Sequence, residues 1–288
     1  LAKYDNVKKY LDIATSILAK NNGMKNSRYA QCQMLSGELN KMLSEYSKAE
    51  SDFRSALNIF DKENDNGGTD RAHPLASLAD LDVDLSRFSS AKERVDAAFS
   101  IAAPSIELGQ PLITSLLNQL GHVYYALGSY KQSDTLYNKT ISINSHYRLS
   151  HTAATAIALN GLGLNATAKK NFVRADSLFA QALKLHLSIF HEKNPYTAQV
   201  YLNYGLLNIE EGKLSEAEEK INKALEIDKA FFKPGHDIFG DIYVALGDLS
   251  KKKGQREAAK EYYQKALDIY SAKFKPDHWK IVSTKRKI

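Results

Sequence analysis

The chain has 288 residues, 43% hydrophobic and 25% charged, with one cysteine and a formal net charge of +6. No run of about 18 apolar residues occurs, which excludes a membrane-spanning helix. Cys32 alone excludes an intramolecular disulfide and fits a reducing, cytoplasmic compartment. The charge is uneven: residues 251–288 hold twelve Lys and Arg against four Asp and Glu, while the rest of the chain is close to neutral. The chain is therefore no continuous basic track, and no nucleic-acid partner is expected; the basic stretch reads as a solvated terminal face.

From the N-terminus onward, one pattern returns every 42 residues. Ala49, Ala91, Ser133, Ala175, Ala217 and Ala259 form a small-residue column, and Ala56, Ala98, Thr140, Ala182, Ala224 and Ala266 a second. Phe53, Val95, Tyr137, Phe179, Ile221 and Tyr263 form a bulky column, and Ile59, Ile101, Ile143, Leu185, Ile227 and Ile269 an aliphatic one. Within a unit these positions are spaced 4, 3 and 3 apart, which places them on one face of a helix, here called helix B. Upstream lies a second helical run, helix A, centred on Gly37, Ala79, Gly121, Gly163, Gly205 and Gly247. Glycine inside a helix costs about 1 kcal/mol against alanine, so a glycine column requires a steric reason, and close helix crossing supplies one.

Gly128, Gly212 and Gly254 mark the tight turn between the two helices. The breakers at 64–68, Gln110-Pro111, Asn194-Pro195, Pro234-Gly235 and Lys275-Pro276 mark the longer connections between units. The expected organisation is a single array. Residues 1–27 form a partial repeat with helix B only. Full repeats follow at 28–69, 70–110, 111–151, 152–194, 195–236 and 237–277, and a truncated one begins at 278–288. Val7, Leu11, Ala14 and Ile17 match helix B one period before Ala49, Phe53, Ala56 and Ile59. The frame thus predicts a fragment of a longer repeat protein, or a mature chain cut from one. A period of this length marks a solenoid, in which each unit buries its apolar face against its neighbours.

The run Leu117, Leu120, Gly121, Tyr124, Ser133, Tyr137, Thr140 resembles the tetratricopeptide repeat (TPR) signature. The Asn194-Pro195 opening, Gly212-Lys213-Leu214-Ser215-Glu216-Ala217-Glu218 and Ala224-Leu225-Glu226-Ile227 are similar to the 42-residue repeats of kinesin light chains and many bacterial repeat proteins. The resemblance implies an all-α fold, a right-handed α-solenoid of stacked antiparallel helix pairs with helix A lining the concave side. It implies a non-catalytic scaffold that binds a peptide or protein partner. The alternative is a regulatory TPR module covalently linked to a larger effector such as a caspase-like protease, histidine kinase or transcription regulator.

The candidate binding positions are helix A residues that avoid the packing columns: Asn118, Gln119, His122 and Tyr125 around Gly121, Asn160 and Thr167 around Gly163, and Gln199, Asn203 and Ile209 around Gly205. Asp241, Asp248 and Lys251 continue the face around Gly247. Amide side chains carry both donors and an acceptor, so they suit an extended peptide backbone whatever its side chains. The kinesin-light-chain-like asparagine pair before the small residue is only partly kept, as Asn118 with Gln119, as Asn160 with Gly161 and as Asn203 after Leu202. The positions matching the first lysine of chaperone-tail clamps are Met34, Ala76, Asn118, Asn160, Leu202 and Val244, none of them basic, which argues against a carboxylate clamp.

No cofactor, metal or catalytic set is expected. The close histidine pairs, His146 with His151 and His186 with His191, are five residues apart and point to different helix faces. Gly161-Leu162-Gly163 lacks the third glycine and the preceding strand of a phosphate-binding loop. Cys32 reads as a small buried helix A residue, and His236 and His278 as capping or loop residues that open repeats.

Overall fold

The computed structural model describes residues 2–22, 26–63 and 69–288; the breaker run at 64–68 lies outside them. Among the described residues there are fourteen α-helices, two 3-10 segments (Thr69–Arg71 and Pro111–Ile113) and no strand. Two compact units are formed, Leu1–Lys139 and Thr140–Ile288. The first holds α1 (Ala2–Asn22), α2 (Ser27–Met42), α3 (Tyr46–Glu63), α4 (Ala72–Asp84), α5 (Phe88–Leu108), α6 (Thr114–Ala126) and the start of α7 (Tyr130–His146). The second holds the rest of α7, α8 (Ala153–Ala168), α9 (Phe172–Phe190), α10 (Pro195–Glu211), α11 (Leu214–Phe231), α12 (Asp237–Lys252), α13 (Arg256–Ser271) and α14 (Trp279–Lys285).

The pairs α2–α3 and α4–α5 in the first unit, and α8–α9, α10–α11 and α12–α13 in the second, each fold back as a helical hairpin. Their seams follow from the sequence columns. Ala49, Phe53 and Ala56 on α3, and Ala217, Ile221 and Ala224 on α11, are fully buried. The glycine column faces the bulky column sixteen residues later. A Cβ on Gly37 would stand 2.5 Å from Phe53 Cε1, on Gly121 3.0 Å from Tyr137, on Gly163 2.8 Å from Phe179 and on Gly205 2.8 Å from Ile221. Only hydrogen fits there, so glycine lets the bulky side chain of helix B lie against the backbone of helix A, and burying each such side chain contributes about 2 kcal/mol.

The tight turns share one geometry. The residues at 44, 86, 128, 170, 212 and 254 all have φ between 58° and 78°. After each, the next backbone N–H donates to the carbonyl five residues back, as from Glu45 to Asn40, Asn171 to Ala166 and Lys213 to Asn208. This is the Schellman helix ending, which satisfies the last carbonyls of helix A. Three of the six positions are not glycine: Ser44, Ser86 and Lys170 hold the left-handed conformation despite their Cβ.

Helix starts are capped by side chains. Asn26 accepts from Tyr29 N–H and Asn194 from Tyr196 N–H, both at 2.8 Å. His236 and His278 cap α12 and α14 through Nδ1, which accepts from Ile238 and Lys280 N–H at 3.2 Å. Cys32 is partly exposed on α2 rather than enclosed.

One buried polar column runs through the second unit near the end of helix B. Asn144 donates from Nδ2 to Thr155 Oγ1 at 2.9 Å and Thr152 Oγ1 at 3.1 Å. One repeat later His186 is 1% exposed, and one repeat after that Asp228 is 3% exposed. Nδ1 of His186 and Oδ1 of Asp228 have no hydrogen-bond partner. Burial therefore pulls the His186 pKa down to about 4 and pushes that of Asp228 up to about 7.

Candidate functional site

Residues on successive A helices meet at spacings close to 42, and the two units do so with different chemistry. In the first unit the meeting groups are ionic. Asp80 on α4 holds His122 Nδ1 at 2.8 Å through one oxygen and accepts from Lys41 Nζ at 2.5 Å through the other. Lys41 also lies 3.0 Å from Asp84. Desolvation by the neighbouring side chains works to lower the His122 pKa although 48% of its side chain is exposed, but the Asp80 carboxylate outweighs it and the net shift is upward. Burial likewise works to raise the Asp80 pKa, yet Lys41 and His122 hold it well below the usual carboxylate range. Beside this cluster Gln119 donates to Ser77 Oγ at 2.9 Å.

Of the candidate residues in this unit, His122 is exposed and ion-paired, and Gln119 is partly buried and hydrogen-bonded. Asn118 is only 5% exposed, so it belongs to the interior of its helix pair and not to an open face. Tyr125 is partly buried, its ring tilted against Tyr130 at 5.9 Å. Lys41, Asp80 and Asp84 were not among the expected residues. The available signal was register, since Asp80 and His122 stand 42 apart in a single column.

In the second unit the meeting groups are neutral amides. Gln199 Nε2 on α10 donates to Asn203 Oδ1 at 3.1 Å, and Asn203 Nδ2 donates to Asn160 Oδ1 on α8 at 3.1 Å. The three expected residues thus form one relay with a direction. Asn203 uses both ends of its amide within it, as its burial at 7% exposure requires. The donor group of Asn160 and the acceptor oxygen of Gln199 are left at the two ends. Ile209, also expected on this face, is 3% exposed and belongs to the core.

Further along, the carboxylates are occupied. Asp241 is 2.8 Å from Lys280 Nζ, and both oxygens of Asp248 are 2.6 Å from Lys287 Nζ. Two of the basic residues of the C-terminal stretch are therefore committed to ion pairs within the unit. Among the described residues no group of three or more His, Cys, Asp or Glu is placed to hold a metal ion, and no helix is long and apolar enough to cross a membrane.

A family model described as "Tetratricopeptide repeat" matches residues 112–188, 154–230 and 196–272, which together span more than half of the chain. No curated protein matches significantly. Among solved structures, the apo form of RapI superposes with a TM-score of 0.64 at 14% identity, covering 93% of this chain and 92% of that one. A tetratricopeptide repeat protein from Parabacteroides merdae gives 0.57 at 16% identity, covering 99% and 93%. Nearly identical TPR-like repeats of a putative kinesin light chain from Podosopora anserina give 0.52 at 17% identity, covering 70% and 95%. At these identities the likeness is one of fold.

Proposed function

The chain belongs to the tetratricopeptide repeat family, and on that premise we propose that it is a non-catalytic protein-interaction scaffold that holds an extended peptide segment on the A-helix face of its second unit. The relay of Gln199, Asn203 and Asn160 carries this reading. Its two ends offer a donor and an acceptor, which suit the carbonyl oxygens and N–H groups of an extended peptide backbone. Because Asn203 is buried and bonded on both sides, the relay is ordered before any ligand arrives, and little side-chain entropy is lost on binding.

The first unit contributes differently. Its face is already satisfied by the Lys41–Asp80–His122 pairing, so a ligand gains little there without breaking ion pairs. Asn118, Gln119 and Tyr125 accordingly support the helix pair, and the contact with the partner falls to Asn160, Gln199 and Asn203.

The test is selection of random twelve-residue displayed peptides on the full chain, followed by affinity measurement against the Asn160→Ala/Asn203→Ala double variant. Asn160→Ala removes the donor to the ligand and Asn203→Ala releases Gln199 from its hydrogen bond; weakening both ligand contacts at about 1 kcal/mol each predicts roughly ten- to thirty-fold weaker binding with unchanged helical circular dichroism. Unchanged affinity for every selected peptide would place the site elsewhere.

A further inference from the structure

Independently of the amide relay, we infer that the end of the second unit where α12 and α14 finish docks an acidic polypeptide segment.

Residues 251–288 carry twelve Lys and Arg. Five of them, Lys253, Lys260, Lys265, Lys280 and Lys287, stand within 3.8 Å of a carboxylate. Lys273 and Lys275 lie in the connection from α13 to α14. The other five, Lys251, Lys252, Arg256, Lys285 and Arg286, are exposed and hold no carboxylate among the described residues.

Helix contacts bring these five to one end of the unit. α13 folds back on α12 through the turn in which Gln255 N–H donates to Ser250 O, so Arg256 opens α13 beside the Lys251–Lys252 end of α12. α14 runs alongside α12: Lys280 reaches Asp241 at 2.8 Å and, two turns further on both helices, Lys287 reaches Asp248 at 2.6 Å. Lys287 Nζ also lies 5.9 Å from the centre of the Tyr263 ring on α13. Lys285 and Arg286 precede Lys287 within one turn, and Lys251 and Lys252 follow Asp248 by one turn on its own face.

The fold does not consume this charge. Lysines at a helix C-terminus answer its dipole, but that is worth about half a negative charge per helix, so α12 and α14 together offer about one. Glu210, exposed and one repeat before Lys252 in its column, offers one more. Glu257, beside Arg256, faces Lys260 at 3.8 Å. Nor does a terminal cap require cations. Either sign solvates an outer face, yet residues 279–288 hold four Lys and Arg and no acid.

Charge and size select the occupant. Packed helices stand about 8–10 Å apart and an extended chain advances about 3.3 Å per residue. A segment of about four residues therefore spans the ends of α12 and α14, and its carboxylates meet cations at both. Nucleic acid fits less well, because bases need stacking rings, and Trp279, the exposed ring of α14, stands six residues, about 9 Å, from Lys285. A bilayer needs apolar insertion, and Ile288 is the only large apolar side chain exposed at this end among the described residues.

Fluorescence anisotropy of a labelled dodecapeptide, six glutamates between Gly-Ser flanks, tests this on the full chain. Binding is expected at 50 mM NaCl and weakens at least tenfold by 300 mM. Lys251→Gln/Lys252→Gln and Lys285→Gln/Arg286→Gln each weaken it at least threefold. Lys169→Gln/Lys170→Gln, which removes the same charge at the α8–α9 turn, changes it less than twofold. All six positions are exposed, so the melting temperature should stay within a degree or two. Asn160→Ala/Asn203→Ala leaves the affinity for this peptide unchanged whether or not the relay binds its own ligand. Absence of binding at 50 mM NaCl, equal losses from all three cation pairs, or loss in the asparagine variant overturns the inference. So does tighter binding of oligothymidine or of phosphatidylserine vesicles through Lys251, Lys252, Lys285 and Arg286.

Discussion

The ring of Phe179 occupies the space that a side chain on Gly163 would need: a Cβ there would meet Cε1 at 2.8 Å, Cδ1 at 2.9 Å and Cζ at 3.0 Å. Gly163→Ala adds about 1 kcal/mol of helix propensity, but the ring is fully buried and cannot swing aside freely, and overpacking costs about 1–3 kcal/mol. The variant is expected to melt at lower temperature than the wild type. Adding Phe179→Val restores part of the loss, because Ala79 and Val95 already form such a pair in the first unit, both fully buried. Thermal denaturation of the single and double variants checks this.

Lys170 holds φ of 58° at the turn where Gly212 and Gly254 hold 78° and 77° in their own repeats. A left-handed residue with a Cβ is strained by about 1 kcal/mol. Lys170→Gly should therefore raise the unfolding free energy by up to that amount, less the entropy glycine gives the unfolded chain, and move the urea midpoint upward. A midpoint lowered by the substitution would show that the Lys170 side chain outweighs its backbone strain.

Asp228 makes stability depend on pH. Its folded pKa of about 7 stands above the ordinary value of 3.8, so the folded state binds the proton more tightly than the unfolded state. Its contribution is fully present below pH 3.8, declines as pH rises toward 7 and is level above that. The total is on the order of 4 kcal/mol. Asp228→Asn, the residue found at Asn144 in the same column, removes the dependence. The difference in unfolding free energy, variant minus wild type, should grow between pH 4 and 7 and then flatten. His186, with its pKa lowered to about 4, acts oppositely, losing stability as pH falls from 6.5 toward 4, and cancels in this difference. A difference independent of pH would mean that Asp228 stays ionised.

His122 reports its own ion pair. Its pKa is raised by Asp80 against the opposing effect of burial, so the pair's contribution is complete below pH 6.5 and is lost as pH rises through the folded pKa. The His122 ring resonances should titrate above 6.5 in the wild type and at lower pH in Asp80→Asn, where desolvation and Lys41 work downward and Asp84 alone works upward. Identical midpoints would separate the two side chains in solution.

The fold class was legible because a 42-residue step in apolar residues has no other economical explanation. The steric logic of the seam was legible too: Ala79 is the one helix A column residue that is not glycine, and it faces Val95, the smallest member of the bulky column. The turns were half legible, since glycine advertises the left-handed conformation at 128, 212 and 254 but Ser44, Ser86 and Lys170 do not. For the candidate site, helical periodicity shows which way a residue points but not which neighbour satisfies it. Asn118 and Asn160 occupy one column, yet the first is buried and the second ends an amide relay. The pairing of Asp80 with Lys41 also depends on how far a long side chain reaches toward the next repeat, which column registers do not show.

The central claim is that the Gln199–Asn203–Asn160 face of the second unit holds an extended peptide. Nitrogen-resolved spectra of the side-chain amides, recorded while a selected peptide is titrated into the full chain, test it most directly. The account predicts that the Asn160 and Asn203 amide resonances shift in saturable fashion with the same Kd as the global signal. Saturation with those resonances unmoved, and shifts confined to the B helices or to residues 251–288, would contradict it.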